Sequence, residues 1–407
     1  MNKQQIMILR DLAQKVAEIA ANPIQEQKRV LWKKHNMLEK TRPVIFCDPE
    51  NGWGEIITPN DLMCTDKQAR NWEWYLRREI FWGTQMNDDR VIEPFFNIPF
   101  VSTSTGWGKQ KIVHGGENGN SYTWEPMIKD YESDFLKIHF PQYSIDRKAT
   151  DDLLILAKEV FEPFLSIRVK QMWWWTLGLT SNAIDFRGLE QFMVDMYDYP
   201  DELHKMMGFL CDGTINMIDS LEERGLLCAN ADDSYVGSGG FGYTDELPSA
   251  DFNGKIRAKD MWGFCESQET VGVSPEMFNE FVFPYQLKIM EKFGLNCYGC
   301  CEILDKRWHI IQQIPNLRRV SVSPWANIET MADFLNDKYI FSMKPNPSYL
   351  ASPSPDFTSI QNSLKAAVDK TKDCCVEIIM KDNNTIGGNP QNVVKWCKIA
   401  KHISESL

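Results

Sequence analysis

The second half of the chain switches repeatedly between two hydrophobic periods, and that rhythm limits the folds open to it. Short apolar, β-branched runs end in polar or small residues, and each is followed by a helix-like segment. The runs are "SIRVKQMWW" (166–174), "LLCANAD" (226–232), "MWGFCES" (261–267), "LNCYGCC" (295–301), "LRRVSVSPW" (317–325), "YIFSMKP" (339–345) and "CCVEIIMK" (374–381). Between them lie amphipathic stretches such as "SPEMFNEFVFPYQLKIMEKFG" (274–294), which opens on Ser-Pro and closes on Gly294. Strand, helix, strand at this spacing predicts right-handed βαβ units and a parallel sheet. An eighth strand is expected from "RPVIFCDP" (42–49) or "RVIEPFFNIPF" (90–100). Seven or eight such units favour an α/β fold of the (β/α)8 TIM-barrel type over an open doubly wound sheet. The first 160 residues break the rhythm and are rich in Trp and Pro. Residues 1–90 are therefore read as a helical N-terminal extension packed on the barrel, and 91–407 as the barrel itself.

Charge and composition remove several classes of function. A net charge of −12 with no long basic run argues against nucleic acid, which needs a basic footprint. No stretch approaches the roughly 20 apolar residues of a membrane span. The N-terminal "MNKQQIMILRDLAQKVAEIA" is interrupted by Asp11, Lys15 and Glu18, unlike the unbroken apolar core of a secretory signal. A cytoplasmic enzyme is the expectation, with the eleven cysteines as reduced thiols. No Walker motif is present, and no G-x-G-x-x-G opens a helix directly after a strand.

In a parallel barrel, chemistry gathers at the carboxyl ends of the strands. The strand ends here carry Trp173, Trp174, Trp175 and Thr176; Asp232 and Asp233; Glu266, Gln268 and Glu269; and Tyr298, Cys300, Cys301 and Glu302. The remaining ends carry Ser323 and Trp325, Lys344 with Asn346, and Lys381 with Asp382. Any one of the carboxylates could serve as a helix N-cap, but a purely structural barrel has no reason to collect the whole set on one rim. The run "SYVGSGGFGYTDELP" is expected to be a flexible lid or, less commonly, an anion cradle. Three cysteines, Cys297, Cys300 and Cys301, crowd one strand end. Strand alternation would put Tyr298 and Cys300 on one face and Cys297 and Cys301 on the other. Buried thiols of this kind serve as core fillers or as metal ligands. No second C-x-x-C completes a closed four-thiolate site, which leaves Cys300 with carboxylates from neighbouring strands as the open-site alternative.

As a set, "GLNCYGCCEILDKRWHIIQQIPNLRRVSVSPWA", "YIFSMKPNP", "VEIIMKDNNTIGGNP", "YVGSGGFGYTDELP" and "WGFCESQETVGVSPEMF" resemble the uroporphyrinogen decarboxylase superfamily. The nearer resemblance is to its branch of corrinoid-dependent methyltransferases, and it extends to "LWKKHNMLEKTRPVIF" and "DDRVIEP". The arginine-rich loop of the decarboxylases has no counterpart, because the corresponding region reads "PVIFCDPENGWGEI". The methyltransferases bind zinc through H-x-C and a distant Cys. Here Tyr298-Gly299-Cys300 keeps only the Cys, and Lys381 and Asp382 occupy the later position. The resemblance thus implies zinc, if used, on Glu266, Cys300 and Asp382. It implies transfer of a methyl group from a small substrate, such as a methoxylated aromatic, to a corrinoid supplied by a partner protein. Asp232, Asp233, Glu266, Lys344 and Lys381 become the catalytic candidates, without individual roles, and Trp174, Tyr243, Gln268, Tyr298, Trp325 and Asn346 the substrate contacts. The alternative is a cofactor-independent decarboxylase of an aromatic or pyrrolic acid, with Lys344 and Lys381 on carboxylates and Asp233 against a positive ring. A homodimer is compatible with either reading.

Overall fold

The computed structural model describes residues 1–116 and 122–406. Parallel strands form at Val44–Cys47 (β1), Phe95–Ile98 (β2), Ser166–Val169 (β3), Trp262–Cys265 (β4), Leu295–Tyr298 (β5), Leu317–Val322 (β6), Ile340–Met343 (β7) and Cys375–Met380 (β8). Their ladder runs β1-β8-β7-β6-β5-β4 as one six-stranded parallel sheet, while β2 and β3 form a separate parallel pair. β1, β4, β5 and β7 are buried along their whole length, as expected for parallel strands covered on both faces. The connecting helices carry their own stop and start signals. Ile328–Leu335 is capped by the Asn327 side chain, and Phe357–Lys370 by Asp356.

The strand expected at 226–232 is the one that does not form. Both candidates for the eighth strand do form, as β1 and β2. The reason is local. Ala229-Asn230-Ala231-Asp232 is poor in β-formers, and the Asn230 side chain takes over the task of a strand backbone. Its Nδ2 donates to Trp262 O at 3.0 Å and its Oδ1 accepts from Trp262 N at 2.9 Å, which satisfies the free edge of β4. The other edge of the sheet is clipped in the same way. Asp89 Oδ2 accepts from Ile45 N at 2.8 Å and Asp88 Oδ2 from Cys47 N at 3.1 Å, beside β1. Ion pairs then join β3 to the unladdered segment, with Lys170 Nζ 2.6 Å from Asp232 and Arg168 Nη2 3.1 Å from Asp233.

The N-terminal helices pack outside this framework. Helix Lys3–Ala20 buries Leu9, Leu12, Ala13 and Val16 at helical spacing, with Asn2 accepting from Gln5 N as its cap, and lies against Lys67–Phe81. Between β2 and β3 the chain inserts two antiparallel ribbons, Ser102–Ser104 with Tyr143–Ile145 and Ile112–Gly115 with Tyr122–Glu125. All eleven cysteines are free thiols. Among the described residues no helix is long and apolar enough to cross a membrane.

Candidate functional site

The glycine-rich run is neither lid nor cradle. Tyr235–Val236 and Gly240–Phe241 pair as a tight antiparallel hairpin, and residues 236–238 and 240–244 are buried. Its glycines permit contacts that any side chain would block. A Cβ on Gly240 would lie 2.5 Å from the Arg319 guanidinium carbon, and one on Gly242 1.8 Å from Asn230 O. The hairpin therefore packs directly against a buried polar network. Arg319 Nε lies 3.0 Å from Glu377 Oε1, His35 Nε2 lies 3.1 Å from Glu377 Oε2, and Ser342 Oγ donates to the same carboxylate. Burial disfavours the Glu377 charge, but Arg319 and His35 outweigh it and hold this carboxyl well below its usual range. None of this network is at a strand end, so a survey of strand ends does not find it.

The hairpin tip leads to a cluster at the ends of β5 and β8. Ser238 Oγ is 3.3 Å from Cys300 Sγ, which is 3.7 Å from Cys301 Sγ. The shared face expected for Tyr298 and Cys300 is not found. Gly299 adopts φ +93°, a left-handed turn that breaks the alternation just as the strand ends. Tyr298 is turned to the covering helix Phe283–Met290, where its hydroxyl donates to Gln286 Oε1 at 2.7 Å. The hydrogen bond from Cys301 is the largest influence lowering the Cys300 pKa. Burial opposes it, and the nearby Lys381 ammonium and Ser238 reinforce it. Lys381 Nζ in turn lies 2.8 Å from Asp382 Oδ1 and 3.7 Å from Glu50 Oε1. Lys344 is buried with its ammonium 2.5 Å from Ser342 Oγ. Burial pushes its pKa down to about 8 against the pull of Glu377, with Lys381 adding repulsion.

Glu266 and Glu302 form the acidic side of the same cluster. Glu302 accepts from Ser267 N and Cys300 N, both at 2.8 Å. Glu266 is fully buried, and its Oε2 accepts from Gln268 N at 3.0 Å. Among the described residues its Oε1 has no hydrogen-bond partner. Burial first, then the charges of Glu302 and Glu269, push the Glu266 carboxyl up to about 9. It therefore carries its proton at neutral pH. The expected metal set does not fit zinc. Asp382 is paired with Lys381, and a lysine ammonium stands beside Cys300. Among the described residues no three His, Cys, Asp or Glu side chains are grouped to hold a metal ion.

A cavity of about 260 Å³ opens where the ladder is interrupted. Trp173, Trp174 and Trp175 from the end of β3, Trp262 and Phe264 from β4, and Phe241 from the hairpin supply its aromatic wall. Trp175 meets Phe264 edge to face at 5.6 Å, and Leu177 N donates to Phe264 O, so this wall runs alongside β4, which Glu266 directly follows. Asp233 lines the cavity, whereas Asp232 lies behind it on Lys170. Burial works against the Asp233 charge, but Lys170 and Arg168 hold its pKa below the ordinary value.

The remaining expected contacts fall elsewhere. Trp325, Asn346 and Lys344 line a second cavity of about 270 Å³, between the ends of β6 and β7 and the helices Phe357–Lys370 and Gln391–Glu405. Asn346 also accepts from Ser348 N, as a turn cap. Tyr243 is buried with its hydroxyl donating to Glu93 Oε1 at 2.8 Å, away from both cavities. Gln268 contributes its backbone to Glu266 from the short helical turn Gln268–Thr270. Arg78, Arg90 and Lys170 line the aromatic cavity without having been expected there. Lys170 directly follows a strand and could have been read from that position. Arg78 lies in the last turn of helix Lys67–Phe81 and carries no such signal.

No protein-family model matches the chain, and no curated protein matches it. Among solved structures, a methyltransferase from Methanosarcina mazei aligns over 93% of this chain and 97% of its own, at 13% sequence identity and a TM-score of 0.49. A likeness at that level assigns no chemistry.

Proposed function

We propose that this protein is a methyltransferase of a corrinoid-dependent demethylation system, moving a methyl group from a small methoxylated aromatic to a partner's corrinoid. In this reading the eight parallel strands close into a (β/α)8 barrel, with residues 226–233 standing in the gap between β3 and β4. The observation that carries the reading is a buried Glu266 with an unpartnered Oε1, placed directly after the strand whose Trp262 and Phe264 line an aromatic-walled cavity. Methyl transfer from an aryl ether breaks a carbon–oxygen bond and leaves a phenoxide, a poor leaving group unless it is protonated. The partner's Co(I) corrinoid supplies the nucleophile. Trp173–Trp175 hold the ring by stacking. Glu266 gives its proton to the departing oxygen, which general acid catalysis accelerates by about 10²–10⁴-fold. Glu302 and Glu269, as neighbouring negative charges, keep that proton on Glu266 until it is needed. Cytoplasmic residence fits a chain whose eleven thiols are all free.

The second reading, decarboxylation of an aromatic or pyrrolic acid, is favoured by one feature: the buried ammonium groups of Lys344 and Lys381 lie close enough to repel each other. Incubation with free Co(I) corrinoid and a panel of methoxyarenes separates the two. Methylation of the cobalt, followed by its absorbance change, is the expected result, with the rate falling about a hundredfold or more in Glu266→Gln. Release of CO2 from arene carboxylates without cobalt methylation overturns the methyltransferase reading.

A further inference from the structure

Arg78 is a guanidinium with unused hydrogen-bonding capacity in an aromatic cavity. Among the described residues it donates no hydrogen bond, and its buried Nε has no partner. Its one carboxylate contact is Glu79, at 3.6 Å, and both Glu79 oxygens are already taken by Arg90 Nη2 at 2.6 Å. Glu79 thus serves two guanidinium groups with one negative charge. Arg90 completes the imbalance with a second buried Nε that lacks a partner. The rings of Trp74, Tyr75 and Trp82 stand 5.1, 5.2 and 5.4 Å from the Arg78 guanidinium carbon. Rings can stabilise the cation, but only an acceptor with lone pairs can satisfy its N–H groups. The aromatic cavity is lined by Arg78, Arg90 and Lys170 against one carboxylate, Asp233, which Lys170 and Arg168 already neutralise. The Arg78 guanidinium therefore remains without a hydrogen-bonded counter-charge of its own.

We propose that Arg78 is the carboxylate-recognition residue of this cavity and that its ligand is a small aromatic carboxylate. The ring lies among Trp173, Trp174 and Phe264, and the carboxylate meets the free guanidinium fork. The fork suits a carboxylate because two parallel N–H donors match its two oxygens. The cavity volume of about 260 Å³ leaves room for a single substituted ring. As a statement about the methyl donor, this rests on the methyltransferase reading above. As a statement about binding, it stands alone.

The test compares 3-methoxybenzoate with methoxybenzene on the full-length protein, by quenching of tryptophan fluorescence at fixed ionic strength. Wild type is expected to bind the anion at least about tenfold more tightly, which is the usual scale for a charge-assisted hydrogen bond. Arg78→Gln should abolish that preference, and Arg78→Lys should restore part of it. The Arg78 side chain is 25% exposed, so both variants are expected to fold, as thermal melting will show. Equal wild-type affinity for the two arenes overturns the proposal, and so does a preference that survives Arg78→Gln. Methyl transfer to Co(I) corrinoid, measured in parallel, separates the two readings. Arg78-dependent anion binding without transfer overturns the methyltransferase and leaves the subsite. Transfer from both arenes at equal kcat/KM overturns the subsite and leaves the methyltransferase.

Discussion

The two sides of the parallel framework solve the same problem differently. From β4 round to β1 each strand satisfies its neighbour's backbone through a continuous ladder. There the interior is closed by a buried charged network, Arg319–Glu377–His35, packed against glycines of the 235–241 hairpin. On either side of the β2–β3 pair the ladder is broken, and side chains serve the free edges of the six-stranded sheet: Asn230 on one, Asp88 and Asp89 on the other. That side keeps a cavity walled by tryptophans. A continuous backbone ladder spaces strands at fixed, short intervals, whereas an edge satisfied by a side chain leaves room beside it. The interruption is what makes a binding site possible.

Three changes would break or sharpen this contrast. The largest effect is expected in the laddered half. Glu377→Gln leaves Arg319 buried with no counter-charge, and should cost about 3–5 kcal/mol in denaturant unfolding. A loss below about 1 kcal/mol would mean that the network is incidental to the core.

The second change concerns Glu266, at the boundary between the halves. Its folded pKa, pushed up to about 9, lies above that of the unfolded chain, so the folded state binds the extra proton between those values. Wild-type stability should therefore fall as pH rises from about 4.5 toward about 9, by linkage. Glu266→Gln removes that slope and should be more stable than wild type at pH 8, with little difference at pH 4.5. Identical pH profiles for the two proteins would refute the assignment of a neutral acid.

The smallest effect belongs to the interrupted side. Asn230→Ala removes both clips on Trp262 and should cost about 1–2 kcal/mol. It should also weaken arene binding, because Asn230 and Trp262 both line the cavity. Lost stability with unchanged binding would show that the clip supports the sheet alone.

Much of the framework is legible in the sequence. The apolar runs at 261–267, 295–301, 317–325, 339–345 and 374–381 all contain parallel strands, and 166–174 contains β3 in its first four residues. Strand ends also located Asp233, Glu266, Cys300, Lys344 and Lys381 at cavities or in the central cluster. Other placements were not legible. "LLCANAD" has apolar residues enough for a strand, but its outcome depended on an Asn side chain finding a backbone edge thirty-two residues later. Alternation misplaced Tyr298 relative to Cys300 because a single glycine in the left-handed region resets the direction of every side chain after it. Tyr243 looked like a rim residue until the hairpin carried it to Glu93.

By itself, the sequence determined the parallel α/β architecture, since alternating hydrophobic periods are local and leave few ways to bury both kinds of face. It also determined that ionisable groups would collect at the strand ends. Only the tertiary structure decided which of them meet, which carboxyl keeps its proton, and where a cavity opens. Those outcomes depend on burial and on distances between residues far apart in the chain, such as Glu266 with Glu302 and Arg78 with Glu79 and the cavity wall. Electrostatic energies change steeply with both quantities, and neither is written in local spacing.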